Sequence, residues 1–175
     1  MGHIRMSADA KKANRLFLGF KDMADVLRYL RAFEDLKEIE EEKGCSEYGD
    51  HREAILLAAI VAYGRSFKKS RSDGKADHCI DPAGIGLFAG EPSLEALHEV
   101  VINLRDKAAA HADWEFHQTE LVEATETSAL RKSPRPFYGQ GLAIPEFIRL
   151  AEFVLQKCRN MTFDLDRAGV SSAAP

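Results

Sequence analysis

The sequence has few of the features that mark extracellular or membrane-spanning proteins. Its 175 residues include only three cysteines, Cys45, Cys79 and Cys158, which lie far apart and cannot all pair. This pattern favours a reducing compartment over a disulfide scaffold. No apolar run approaches the ~18 residues of a membrane span, and residues 1–6 contain no hydrophobic signal-peptide core. We therefore expect a soluble, cytoplasmic protein with no membrane partner.

The sequence also lacks a strong excess of charge of one sign. It has 24 Lys and Arg against 28 Asp and Glu, a net charge of −4, and a pI near 5.9. This balance argues against a generally basic protein that coats nucleic acid, although a local basic patch remains compatible with it. The length and the 45% hydrophobic content are typical of one globular domain. We expect that domain over residues 1–170 and a disordered tail over 171–175.

Helical periodicity is clear in the first half of the chain. Residues 7–43 predict a first helix, with a break near Gly19 and a solvated acidic end over 34–43. The helix carries an apolar stripe: Met23, Val26, Leu27, Leu30 and Phe33. A second helix begins near Asp50 and is apolar on nearly every side over 54–62, which predicts the most buried segment of a bundle.

The second half of the chain adds two helices separated by a non-helical region. Residues 70–92 predict a long loop, and apolar residues recur at spacings of three and four over 94–111. Residues 114–124 fit a strand better than a helix. The fourth helix begins at Pro145 and carries apolar residues at helical spacing: Phe147, Leu150, Val154, Cys158, Met161 and Leu165. The predicted fold class is all-α. Its architecture is an antiparallel up-and-down bundle of four or five helices, with a small β-hairpin or extended excursion before the last helix.

Motifs for metals, dinucleotides and serine hydrolysis find little support. The glycines of Gly84–Gly90 do not follow a buried strand, so they favour a turn over a phosphate-cradling loop. The pair Glu95 and His98 occurs once, whereas a di-iron bundle needs that spacing twice. The His-Cys pair at 78–79 lacks a second pair at zinc spacing, and no Gly-x-Ser-x-Gly elbow exists. We therefore predict no metal site and no cofactor.

The strongest chemical signal lies at the end of the third helix. There Arg105 is followed directly by Asp106 and, after five intervening residues, by His111. This pattern resembles the hallmark of the HEPN superfamily (higher eukaryotes and prokaryotes nucleotide-binding domains). The segment Tyr63-Gly-Arg-Ser-Phe67 is also similar to a segment of such sequences. The resemblance covers about residues 52–116 and the C-terminal helix.

The resemblance implies a metal-independent endoribonuclease or RNA-binding protein, of a kind that often serves in toxin–antitoxin or defence systems. Arg105, Asp106 and His111 become the candidate catalytic residues. An imidazole can transfer protons near neutral pH, and a guanidinium stays charged and grips phosphate oxygens. The partners that the resemblance implies are RNA, a second copy of the chain, and a cognate antitoxin or nucleotidyltransferase.

Further candidates for phosphate contact flank this motif. Arg65, Lys68 and Lys69 lie close together in the sequence at the end of the second helix. His98 lies seven residues before Arg105 on the same helix face. A second Arg–His match, from Arg71 to residue 78, lies in the polar loop and is set aside.

Helix geometry separates the two main candidates. On one helix Arg105 and His111 are about 120° apart around the axis and about 9 Å apart along it. Either the helix ends before His111, or a second copy in a two-fold dimer completes the site. An alternative is a non-catalytic dimerisation or interaction module, in which Arg105 pairs with Asp106, Asp113 or Glu99 and His111 is a core residue. A small-ligand binder that uses the bundle interior is a third hypothesis.

Overall fold

The computed structural model describes residues 8–68, 79–109, 120–124, 129–132 and 141–172, and these form a helical bundle. Its helices are α1 (Ala8–Lys43), α2 (Gly49–Arg65), α3 (Pro92–Ala109) and α4 (Ile144–Ser172). Between α3 and α4 lie β1 (Glu120–Ala124) and β2 (Ala129–Lys132), which pair antiparallel. The predicted all-α bundle is confirmed. In the part of the chain that the structure describes, no helix is both long and apolar enough to cross a membrane.

The apolar stripes predicted for the long helices form the core. All five stripe residues of α1 are buried, and so are Phe147, Leu150, Val154 and Cys158 of α4. Helix α4 packs along α1 more extensively than any other pair of elements. The main core therefore lies between the first and the last helix of the chain, because each turns a continuous apolar face toward the other.

Helix α1 is continuous, so the predicted break near Gly19 is wrong. Gly19 is buried inside the helix. A β-carbon at this position would lie 2.5 Å from Cδ1 of Ile80 and 3.4 Å from Sγ of Cys158. The glycine therefore serves close packing between elements. A local helix-breaking tendency of about 1 kcal/mol is easily outweighed when the helix is packed on both flanks.

The carboxylates at the acidic end of α1 are exposed or partly exposed except that of Glu40, which is 7% exposed. Oε1 of Glu40 accepts a hydrogen bond of 2.8 Å from the backbone N–H of Tyr48, and Oε2 lies 2.8 Å from Nε of Arg52. Near the other end of the pair, Asp22 of α1 contacts Ser66, just after α2. These two contacts show that α1 and α2 run antiparallel. The prediction of a wholly solvated acidic end is wrong at Glu40.

Helix α2 is buried on one side only. Leu56, Ala59 and Ile60 are buried, whereas Ala54 is exposed and Val61 is 38% exposed. Its most extensive contacts are with α1 and α3, so its outer face meets solvent. The prediction that residues 54–62 form the most buried stretch is therefore wrong. The core side of α2 instead continues into Ala62–Gly64, which is fully part of the core.

The glycine-containing segment before α3 forms consecutive turns over residues 82–90. Gly86 and Gly90 adopt positive φ angles of 61° and 83°, a conformation that side chains disfavour. Leu87 and Phe88 are buried, and the N–H of Ile80 donates to the carbonyl of Ser66 at 2.8 Å. These contacts attach the segment to the end of α2. Residues 70–78 of the predicted loop lie outside the described residues.

Candidate functional site

The end of α2 and the second half of α3 meet at a close crossing. A β-carbon at Gly64 would lie 2.6 Å from Cγ and 3.0 Å from Cδ of Arg105. The aliphatic stem of Arg105 therefore lies directly across Gly64, where any larger residue would collide with it. This crossing brings the Tyr63–Phe67 segment and the Arg105–Asp106 motif together.

Two cations converge on one carboxylate at this crossing. Nη1 of Arg105 donates to Oδ1 of Asp106 at 3.1 Å, and Nζ of Lys68 lies 2.8 Å from Oδ2. The side chains of Arg105, Lys68 and Asp106 are 27%, 38% and 43% exposed, so solvent reaches all three. Nε of Arg105 is buried and has no hydrogen-bond partner among the described residues. We call this group of three residues the cation pair site.

The electrostatics of the cation pair site keep Asp106 ionised. Partial burial by itself would raise the pKa of Asp106. Hydrogen bonds from Lys68 and Arg105, together with their positive charges, outweigh that effect and lower the pKa below its usual range. The site therefore holds two positive charges and one negative charge, which leaves one positive charge in excess on an acidic protein.

His98 lies beneath this surface in an aromatic cluster. Its Nδ1 shares a hydrogen bond of 2.8 Å with the hydroxyl of Tyr63, and its ring centroid lies 4.6 Å from that of Phe67 and 4.9 Å from that of Phe88. The residue is 4% exposed. Burial, with a smaller contribution from the charge of Lys68, lowers the pKa of His98 to about 4. A neutral, enclosed imidazole argues against the predicted contact with RNA, and we assign His98 to the core.

The hydroxyl of Tyr63 is equally enclosed. Burial raises the pKa of Tyr63 well above its ordinary value, so the phenol stays protonated. The Tyr63–His98 hydrogen bond joins α2 to α3 directly below Gly64 and Arg105. A buried polar pair of this kind holds the two helices in one register, because each group loses its partner if they slide.

Arg65 points to the opposite side of α2, toward α1. Its Nη2 lies 3.0 Å from Oδ1 of Asp22 and 3.5 Å from Oδ2 of Asp25. The hydroxyl of Ser66 donates to Asp22 at 3.0 Å, and Arg28 pairs with Asp25 at 3.0 Å. We call these residues the α1 joint. The structure thus separates Arg65 from Lys68, although the sequence places them three residues apart.

Asp22 is the half-buried centre of the α1 joint. Burial raises the pKa of Asp22, and the hydrogen bond from Ser66 and the charge of Arg65 oppose that rise only in part. Sequence reasoning did not single out this residue. Gly64 was likewise quoted only as part of a motif, although a glycine within an apolar helix costs about 1 kcal/mol and often marks a close approach.

Two predicted site residues, Lys69 and His111, lie outside the described residues. Helix α3 is described to Ala109, so the structure does not relate His111 to Arg105.

Among the described residues, no three His, Cys, Asp or Glu side chains form a group that could hold a metal ion. A cleft of about 510 Å³ lies between the start of α1 and the turn segment, and its lining includes Lys11, Lys12 and Arg15 together with Asp9 and Asp81.

Comparison with known proteins adds no assignment. No protein-family model, curated protein or solved structure matches the chain. The function is therefore inferred from the chemistry of the cation pair site and from the resemblance carried by the Arg105 motif.

Proposed function

We propose that the protein is a HEPN-like RNA-binding protein that acts as a metal-independent endoribonuclease. The observation that carries this proposal is the cation pair site. Arg105 is held by its stem on Gly64, and its guanidinium reaches a solvent-accessible surface beside Lys68. Two cations from different segments, with one carboxylate between them, form the kind of surface that binds phosphate.

The proposed reaction uses the 2′-hydroxyl of RNA as the nucleophile. A base removes the proton of this hydroxyl, the 2′-oxygen forms a bond to the adjacent phosphorus, and the bond from phosphorus to the 5′-oxygen breaks. The 5′-oxygen then takes up a proton, leaving a cyclic phosphate and a free 5′-hydroxyl. In this proposal, His111 transfers protons and Arg105 stabilises the charge that develops on the phosphate, while Asp106 holds the guanidinium of Arg105 in place before RNA binds.

The proposal includes a two-fold homodimer. One helix alone separates Arg105 from His111, so a second copy is expected to bring both pairs of residues into one cleft. Lys68 and Lys69 are proposed to contact flanking phosphates. The proposed setting is a toxin–antitoxin or defence system, in which an antitoxin or nucleotidyltransferase partner would control the activity. A nucleotidyltransferase gene beside this gene would support that setting.

The test is cleavage of varied RNAs in EDTA by wild-type protein and by Arg105→Ala and His111→Ala. Loss of a group that stabilises the transition state typically reduces the rate about 10²–10³-fold, which separates a real effect from a contaminating nuclease. Arg71→Ala is the matched control, because it alters the other Arg–His match in the sequence. Wild-type protein that leaves every RNA intact would contradict the enzymatic proposal.

A second candidate function is a non-catalytic dimerisation or interaction module. The observation in its favour is that Asp106 already pairs with both Arg105 and Lys68, as in a purely structural ion network. For this module, His111→Ala should lower the free energy of unfolding by about 1–3 kcal/mol, as expected when a buried polar contact is lost. Light scattering at tens of micromolar distinguishes a dimeric module from a monomer.

A further inference from the structure

Asp106 occupies the position that a phosphate would need in order to bind both cations. Its two carboxylate oxygens point to different partners, Oδ1 to Arg105 and Oδ2 to Lys68. A phosphate group offers two non-bridging oxygens at a similar separation. The carboxylate therefore satisfies the same donors, in the same two-oxygen manner, that an RNA phosphate would use.

We propose that Asp106 is an intramolecular competitor of phosphate at Arg105 and Lys68, and that an RNA phosphate binds there only by displacing it. This inference rests on the proposed function, since it names RNA phosphate as the anion. It adds that the affinity of the site is set by a carboxylate which the chain itself supplies.

Three features make displacement feasible. Asp106 is 43% exposed, so its carboxylate can be rehydrated when it leaves. Both of its ion pairs are partly exposed, and such pairs are individually weak. Neighbouring residues on a helix point about 100° apart, so the contact between Arg105 and Asp106 depends on side-chain torsions and can be broken without moving the backbone.

The two cations are held differently and would remain in place after displacement. The stem of Arg105 is fixed across Gly64, and its Nε is buried within the crossing. Lys68 follows the last turn of α2, where its own N–H donates to the carbonyl of Gly64 at 3.0 Å. A site whose cations are anchored and whose anion is free to rotate suits exchange of that anion.

The experiment compares Asp106→Asn with Asp164→Asn. Both variants remove one negative charge, and Asp164 is an exposed residue of α4. Fluorescence anisotropy with a labelled single-stranded RNA measures affinity at fixed salt. We expect Asp106→Asn to bind RNA about three- to tenfold more tightly than wild-type protein does. The gain is modest because the ion pairs that compete with RNA in the wild-type protein are weak. Asp164→Asn should bind as wild-type protein does. Circular dichroism checks the fold, and Asp106→Ser is a second variant with the same expectation.

A second measurement does not depend on RNA. The buried Nε–H of Arg105 should exchange slowly with water and give a resolved nitrogen NMR signal, assigned by its loss in Arg105→Lys. Inorganic phosphate should shift this signal at a lower concentration in Asp106→Asn than in wild-type protein.

The outcomes separate this inference from the proposed function. A shift with phosphate but no binding of RNA would support the competitor and contradict the RNA function. Equal RNA affinity and equal phosphate response in Asp106→Asn, Asp164→Asn and wild-type protein would overturn the competitor, even if wild-type protein cleaves RNA. The absence of any phosphate response at Arg105 in Asp106→Asn would also overturn it.

Discussion

The end of α2 and the residues just after it form ion pairs on two sides, and the balance of charge differs between them. On the side of α1, Arg65 and Arg28 face Asp22 and Asp25, so the charges balance. On the side of α3, Arg105 and Lys68 share Asp106 alone, so one positive charge is in excess. The pKa values of the two carboxylates differ in the same way. Burial raises the pKa of Asp22, whereas Lys68 and Arg105 lower the pKa of Asp106.

This difference indicates how one short segment serves two purposes. The α1 joint satisfies its own charges and includes a half-buried carboxylate, which is the composition of a structural contact. The cation pair site is open to solvent and short of one negative charge, which is the composition of an anion-binding surface. Residues three apart in the sequence, Arg65 at the end of α2 and Lys68 just after it, therefore contribute to stability on one side and to proposed phosphate binding on the other.

The largest expected effect is acid destabilisation of the α3 side through His98. Its pKa is about 4 when folded against 6.5 in the reference state, so the unfolded chain binds more protons between these values. Stability from His98 is therefore complete above pH 6.5 and is lost as the pH falls toward 4. The expected loss is about 3 kcal/mol, and urea unfolding at a series of pH values measures it.

His98→Gln provides the comparison, because glutamine does not titrate. The difference in unfolding free energy between wild-type protein and this variant should shrink as the pH falls from 6.5 to 4. His51→Gln, at an exposed position of α2, controls for the loss of a histidine. A wild-type pH profile parallel to that of His98→Gln would show that His98 is not a buried neutral residue.

The second effect tests the close crossing at Gly64. Gly64→Ala should raise helix propensity by about 1 kcal/mol, but its methyl group collides with the stem of Arg105 at a cost of about 1–3 kcal/mol. We therefore expect a lower urea midpoint and weaker RNA binding. Gly49→Ala is the matched control on the same helix and should be neutral or stabilising, since no atom from elsewhere in the described part of the chain lies within 4 Å of its added carbon.

The collision is specific to Arg105, so the double variant Gly64→Ala/Arg105→Ala should recover stability relative to Gly64→Ala. If the changes in unfolding free energy of the two substitutions simply add, Arg105 does not contact position 64.

The smallest effect separates Lys68 from Arg65. Lys68→Ala should reduce the slope of log affinity for RNA against log salt by about one, because one phosphate contact is lost. Arg65→Ala should change that slope less, since its guanidinium is already engaged by Asp22 and Asp25. Each variant should change the free energy of unfolding by less than about 1 kcal/mol. Equal slopes for the two variants would remove the contrast between the two sides.

Periodicity in the sequence was enough to predict the helices and their core faces. The stripe of α1 is buried in the structure, as are Leu94 and Val101 of α3. The predicted face of α4 is buried from Phe147 to Cys158 and partly buried at Met161 and Leu165. Residues three and four positions apart lie on the same face of a helix, so an apolar face is visible in the sequence of that helix alone. It can therefore be recognised without knowledge of the partner helix.

Periodicity was not enough to decide the exceptions. A break in the first helix was expected near Gly19, Glu40 was expected to be solvated, and His98 was expected to contact RNA. Each is instead enclosed by residues from another element: Ile80 at Gly19, Arg52 at Glu40, and Tyr63 at His98.

The sequence by itself determined the class of fold, the apolar faces and the residue types available for phosphate chemistry. Only the tertiary structure decided that Lys68 meets Asp106 whereas Arg65 meets Asp22, and that Arg105 lies across Gly64. The physical reason is range. Apolar burial is averaged over a whole face, but an ion pair or a buried hydrogen bond depends on a few tenths of an ångström between groups far apart in the chain, such as Tyr63 and His98, which are 35 residues apart.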